Sequence, residues 1–349
     1  MARAYSGREF SAIVGIANND AGSSAGAVGA VTQDANHVSL SKVLMRVDSP
    51  LNMFDYSAGY NRAEIARSGV RALRAEDIIN HYGSGVWTWD FDWLVDNEKG
   101  IQNLLELSYP NHGGTIATSM TYPAAPTVND LSHGENTETT SNLAFIILQN
   151  PLATRDHYMH SANLQNLTLS MDAGTDGGRL RASGQFMSGY KPIIEANTVG
   201  ADTGEADYNG GLFLCDTSTF GGGSDYMIVK SFSITIDNPA NRVGYQGTAG
   251  ETDGYSRGGA LSITGSITMK SDSIQQINDD TFWKANATSA IVLKPSSPAA
   301  GSTIDISIPA ANVSNISYDM AEEGVFQTVD FTATSGADAG GNLAVIKAT

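Results

Sequence analysis

One strand pattern is written twice in this chain, 149 positions apart from Ala162 to Ala311. The first copy is Ala162-Asn163-Leu164-Gln165-Asn166-Leu167-Thr168-Leu169-Ser170-Met171, and the second is Ala311-Asn312-Val313-Ser314-Asn315-Ile316-Ser317-Tyr318-Asp319-Met320. In each, Leu167, Leu169, Met171 and Ile316, Tyr318, Met320 alternate with small polar residues, the period of a strand with one packed face. A turn and a second alternating run follow, ending in Ser188-Gly189 and Ser335-Gly336. A repeat of this length points to two copies of one β-rich domain and to pseudo-symmetric assembly.

At 349 residues, both copies have enough chain for a full core. The 37 glycines and only 16% charged residues favour strands and turns over long helices. A formal net charge of −17 argues against a protein that grips duplex DNA, because phosphate contacts need a basic surface. An acidic chain can still surround DNA without holding it. The single cysteine, Cys215, excludes an intrachain disulfide or a CxxC site and reads as a small apolar residue. The N-terminal residues show no signal-peptide apolar region, and no stretch is apolar enough for a membrane span.

The organisation read from these patterns is an extended N-terminal arm over 1–40, a first domain over 41–197, a polar, Gly-rich linker over 198–226, and a second domain over 227–349. The first domain carries a Pro- and Thr-rich insertion near 115–140, expected either as a functional surface loop or as a disordered one. Helices are expected over 63–80, 99–107 and 273–287. Arg62, Arg67, Arg71 and Arg74 make a basic patch, either a solvated face or a dock for an acidic neighbouring subunit. The clearest strand is Val86–Leu94, with Trp87, Trp89, Phe91 and Trp93 on one face and Thr88, Asp90 and Asp92 on the other. The aromatic row reads as core. Its alternative is an exposed sugar-binding platform, which would make the chain a β-sandwich carbohydrate-binding or surface-adhesion module.

Other alternating strands share this polarity. Their polar positions are Thr168/Ser170/Asp172, Ser231/Ser233/Thr235, Ser262/Thr264/Ser266/Thr268 and Ser317/Asp319, with Thr328, Asp330 and Thr332 on the last strand. Their apolar positions are Leu167, Leu169, Ile263, Ile267, Ile316, Tyr318 and Phe331, the expected core. Short hydroxyls and aspartates, with one lysine (Lys270), make a smooth, wet, weakly acidic surface suited either to lining a nucleic-acid conduit or to facing solvent. Alternation separates two faces without naming which one is inner.

Catalytic patterns are absent from the sequence: no phosphate-binding loop, no Gly-x-Ser-x-Gly and no His-Glu-x-x-His occurs. His157 and His160 beside Asp156 have weak metal-ligand spacing and read as a solvated turn. Asp202–Asp207 lacks the regular oxygen ligands of a calcium loop. No catalytic residue, metal ligand or cofactor is expected, and the chain reads as a non-enzyme.

In order and pattern, the segments 85–107, 163–189, 231–238, 257–285 and 306–334 resemble the tail tube proteins of tailed bacteriophages, in the long form with two tandem tube domains. The resemblance covers residues 40–336. It implies two tandem β-sandwich or barrel domains, each with a short flanking helix, whose strands join across subunits into an inner barrel around a lumen. Thr88, Asp90, Asp92, Thr168, Ser170, Ser262, Thr264, Ser266, Thr268, Ser317 and Asp319 are then the candidates for lining it. The implied role is a structural virion protein assembled in the host cytoplasm into the virion tail. Its implied partners are further copies of itself, a tape-measure protein, a tail terminator, baseplate or distal tail proteins, and double-stranded DNA in transit. Because single-domain tube proteins form six-membered rings, two domains per chain imply stacked homotrimeric, pseudo-hexameric rings, with homohexamers as the alternative. The arm and the 115–140 insertion are candidates for ring-to-ring contacts.

Overall fold

The computed structural model describes residues 10–18, 42–45, 52–57, 61–64, 78–81, 86–109, 119–123, 142–149, 155–190, 192–196, 211–214, 218–220, 228–243, 254–270, 288–297, 303–321, 324–335 and 341–348. The first half contains β1 (Ser11–Asn18), β2 (Lys42–Met45), β3 (Asp55–Ser57), β4 (Asn61–Glu64), β5 (Ile78–His81), β6 (Val86–Leu94), α1 (Glu98–Ser108), β7 (Ser119–Pro123), β8 (Asn142–Gln149), β9 (Arg155–Asp172), β10 (Arg181–Ser188) and β11 (Ile193–Ala196). The second half contains β12 (Phe213–Leu214), β13 (Thr219–Phe220), β14 (Val229–Asp237), β15 (Ala240–Val243), β16 (Gly254–Arg257), β17 (Ser262–Lys270), β18 (Thr288–Leu293), β19 (Pro295–Ser296), β20 (Ile304–Ala321), β21 (Gly324–Ala333) and β22 (Asn342–Ala348). The protein is mainly β. Its antiparallel sheet runs β13-β18-β20-β21-β17-β14-β9-β10-β6-β3, with β1, β2, β7, β8, β11 and β22 joined off this path.

Alternation explains the strands. β14 and β17 bury Phe232, Ile234, Ile236 and Ile263, Ile267, Met269 while their hydroxyl positions stay half-buried or exposed. In β6, Trp89, Phe91 and Trp93 are buried and Trp87 is half-buried against the same core. The indole N–H of Trp89 donates to the Asn52 carbonyl (3.2 Å) and that of Trp93 to Asp96 Oδ1 (3.2 Å), so burial leaves neither donor unpaired. One core cluster runs through both halves of the chain, from Val14 and Trp93 to Phe331 and Ile346.

The expected helix at 99–107 is α1. Asn97 caps it, its side chain accepting from the Gly100 N–H (3.1 Å), and Glu98 sits in the first turn, where the helix dipole favours an acid. Ile101, Leu104, Leu105 and Leu107 give it an apolar stripe that is wholly buried. Gln102 Nε2 donates to the Ala348 carbonyl (3.1 Å), and Asn238 Nδ2 donates to the Ser108 carbonyl (3.1 Å), so a first-half helix is tied to β22 and to the residue that follows β14. No helix among the described residues is long and apolar enough to cross a membrane.

Several expectations need correction. The arm over 1–40 contains β1, whose Ala12, Ile13, Val14 and Ile16 are buried between the β2 and β8 ladders. The helix over 63–80 is contradicted at both ends, which lie in the β4–β5 hairpin; 65–77 lie outside the described residues. The β-branched, apolar Ile78 and Ile79 find a cross-strand partner there, which a helical reading of the composition could not anticipate. The insertion near 115–140 supplies β7, with Met120 and Tyr122 buried against β22. The linker over 198–226 contributes β12 and β13, with Leu212 and Phe220 in the core. The helix expected over 273–287, Cys215 and Asp202–Asp207 lie outside the described residues. His157 and His160 do not form a solvated turn. They lie in β9, where Asp156, Tyr158, Met159 and His160 are buried.

The repeat is matched in detail by the strand pairing. β9 and β20 have the same length, their ends offset by the same 149 positions. In the β9–β10 ladder Gln165 is left without an opposite residue, and in the β20–β21 ladder Ser314 is, again 149 positions on. A second irregularity recurs too: the four residues Met159–Ala162 of β9 oppose the three residues Ala144–Ile146 of β8, as Ile308–Ala311 of β20 oppose Ser289–Ile291 of β18. β11 lies along the start of β9 as β22 lies along the start of β20.

Candidate functional site

Residues directly opposite in an antiparallel ladder share a face. One row therefore crosses six strands as Thr332, Thr264, Thr235, Thr168, Ser183 and Asp92. The next is Asn315, Asp330, Ser266, Ser233, Ser170 and Arg181. A third runs Ser317, Thr328, Thr268, Ser231 and Asp172, and a fourth Ser262, Asp237, Asn166, Gln185 and Asp90. The candidate polar positions from both halves thus lie on one face of one continuous sheet, opposite the core. Thr88 lies at its margin, half-buried and paired with the buried Met187, where the face passes under a small cluster of Leu143, Met187, Tyr190, Ala240 and Tyr255. Asp319, paired with Phe326, lies at the opposite margin.

This face is held by short polar contacts along its rows. Thr168 and Thr235 share a hydroxyl hydrogen bond of 2.9 Å, as do Thr268 and Thr328. Gln185 Nε2 donates to Asp90 Oδ1 (2.7 Å) and Asn315 Nδ2 to Asp330 Oδ2 (3.0 Å). Arg181 engages Asp92 through two contacts, Nε to Oδ1 at 3.0 Å and Nη2 to Oδ2 at 2.9 Å, which neutralises its charge in place. Burial pushes the Asp237 carboxyl above its usual range. The sheet surface is therefore hydroxyl-rich, with Asp172, Asp237 and Asp319 toward its rim and Lys270, exposed and in phase with Thr268, as a cation on the same face.

Sequence reasoning missed the contribution of β10. Arg181, Ser183 and Gln185 complete the face; they alternate with Ala182, Gly184 and Phe186, and the small Ala182 and Gly184 make that alternation faint in the sequence. Among the core candidates, Tyr318 is a correction: its side chain is 52% exposed, and Ile316 is only half-buried. Their repeat partners Leu169 and Leu167 are fully buried with β10 on one side and β14 on the other; beside Ile316 and Tyr318, β21 lies on one side and no described strand on the other.

The β9 segment containing the histidines is structural. The His160 ring packs against Tyr158 and Tyr190, with centroids 5.8 and 5.1 Å away. Ser161 has φ of 49°, a left-handed conformation, and its carbonyl accepts from the Tyr255 hydroxyl (2.6 Å), which in turn accepts from the Gly189 N–H (2.9 Å). Burial pushes the Tyr255 phenol up to about 12. Among the described residues, no three His, Cys, Asp or Glu side chains cluster as metal ligands. Trp89 and Trp93 are buried, so the aromatic row does not form the exposed platform that sugar binding requires. No protein-family model and no curated protein matches the chain.

Proposed function

We propose that the chain is a structural virion protein of a tailed bacteriophage, a two-domain tail tube protein that polymerises into stacked rings around a channel for genome ejection. The observation that carries this reading is the continuous hydroxyl- and aspartate-rich face that crosses β20, β21, β17, β14, β9, β10 and β6 from both halves. Small side chains offer nothing to catch a base, and the acidity offers nothing to hold a phosphate. Such a face suits the wall of an aqueous lumen, and a wide barrel of strands from several subunits encloses one. The matched bulges at Gln165 and Ser314 support reading the two halves as tandem copies of one tube domain. Two domains per chain favour homotrimeric, pseudo-hexameric rings over hexamers. The tape-measure, terminator and distal tail proteins are the partners this role requires.

Negative-stain electron microscopy of the purified chain at rising concentration tests the reading. Hollow tubes or stacked rings with three subunits each are expected. Solid filaments without a lumen would overturn it. Replacing Thr264 and Ser266 by lysine is expected to leave ring formation intact and to slow DNA ejection from virions; unchanged ejection kinetics would remove these residues from the channel wall.

A further inference from the structure

The two halves meet at a strand junction, and its counterpart has no second strand beside it among the described residues. β14, from the second half, pairs with the end of β9, from the first, in the register Ser231↔Asp172 through Asp237↔Asn166. This junction covers Leu167, Leu169 and Met171, which are 0, 0 and 4% exposed. The repeat equivalents of those residues on β20 are Ile316, Tyr318 and Met320. Tyr318 is 52% and Met320 83% exposed, and on this side of β20 no described strand pairs with Asn315–Ala321. A strand edge that carries exposed apolar side chains on one face is a template for further pairing unless something covers it.

The strand that would cover it is also in the chain. β3 pairs with β6 as β14 pairs with β17: Asp55↔Thr88, Tyr56↔Trp87 and Ser57↔Val86 correspond to Thr235↔Thr264, Ile236↔Ile263 and Asp237↔Ser262. β3 ends the sheet path opposite to the β20 end, so it cannot reach β20 of its own chain without closing the sheet. Asp55 and Met53 beside it are exposed.

We propose that the Asn52–Ser57 segment of one copy adds to the Asn315–Ala321 edge of a second copy, reproducing between chains the β14–β9 junction found within one. Carrying the internal register across places Tyr56 opposite Ile316, Asp55 opposite Ser317 and Phe54 opposite Tyr318. The faces agree: Phe54, packed against the core of its own copy, would join Tyr318 on the apolar side, and Asp55 would join Ser317 on the polar side. Because each copy offers one edge of each kind, the contact is head-to-tail and propagates until it closes. The inference deepens the tube reading by naming the partner surface, and it rests on that reading only for closure into a ring.

The test is disulfide trapping in a Cys215→Ser background. Thr168 and Thr235, the internal equivalents of Ser317 and Asp55, have hydroxyls 2.9 Å apart, so cysteines at the new pair fall within bonding reach. Asp55→Cys with Ser317→Cys is expected to give a ladder of covalent oligomers on oxidation, and Asp55→Cys with Tyr318→Cys, on opposite faces, is expected to give at least tenfold less. In a second variant, Met320→Lys should leave the melting temperature of the protomer unchanged and weaken association at least tenfold. A chain that stays monomeric at every concentration reached, or that assembles with equal trapping at both cysteine pairs, overturns the junction. Trapped ladders without hollow tubes would uphold the junction and overturn the tube.

Discussion

At the scale of single residues, close approach decides what is tolerated. Gly265 faces Phe331 across the β17–β21 ladder, and a Cβ there would lie 2.5 Å from Phe331 Cζ and 2.9 Å from the Ser233 carbonyl. Gly265→Ala is expected to destabilise the protein by about 1–3 kcal/mol, read as a lower denaturant midpoint, because neither the ring nor the ladder can yield freely. Asp156 is buried, with Gln149 Nε2 donating to Oδ2 (3.1 Å), no hydrogen-bond partner for Oδ1, and a pKa raised chiefly by desolvation. The folded chain therefore holds this proton where the unfolded chain has released it, and stability falls as pH rises above the unfolded value of 3.8. Asp156→Asn should raise the melting temperature at neutral pH, with the gain vanishing below that value. A melting temperature gain that persists at pH 3 would contradict the assignment. The sequence named Asp156 and the two histidines but put them in water; burial came from strands β8 and β11 on either side, which are distant patterns in the chain.

At the scale of elements, local signals were most legible where they were complete. α1 carries its own cap, acid and apolar stripe, and its expected range differs by one residue at each end. Asn97→Ala is expected to cost about 1 kcal/mol, measurable by thermal unfolding. The β4–β5 hairpin was illegible because four-residue strands are too short to display a period. The strained bulge of β9 shows a dependence no local pattern carries: the left-handed Ser161 is held by Tyr255 of β16, 94 residues away. Tyr255→Phe should leave the Ser161 carbonyl and Gly189 N–H without this partner and cost about 1–3 kcal/mol of stability. An unchanged unfolding midpoint would show that the bulge needs no such tie.

At the scale of the whole molecule, the halves that read as separate domains share one sheet and one core. The β14–β9 ladder, Gln102 on Ala348 and Asn238 on Ser108 cross between them. Denaturant unfolding is therefore expected to be one transition, coincident by tryptophan fluorescence and far-UV circular dichroism; two separated transitions would show independent halves. A fragment ending at residue 197 should aggregate, since losing β14 uncovers Leu167, Leu169 and Met171.

By itself the sequence determined the class of structure, because alternation of period two is a local property: it sorted Thr264 from Ile263 and Trp89 from Asp90 without knowing any partner. It determined the repeat, for the same reason. Only the tertiary structure decided which strand edges are satisfied. Leu169 and Tyr318 occupy the same place in the same repeated strand, and one is fully buried while the other is 52% exposed. The difference lies in β14, which follows one copy in the chain and finds its edge, while the equivalent edge of the second copy has no later strand beside it among the described residues. Hydrogen-bond pairing between strands is a long-range contact, and no side chain within the repeat records whether it has been made.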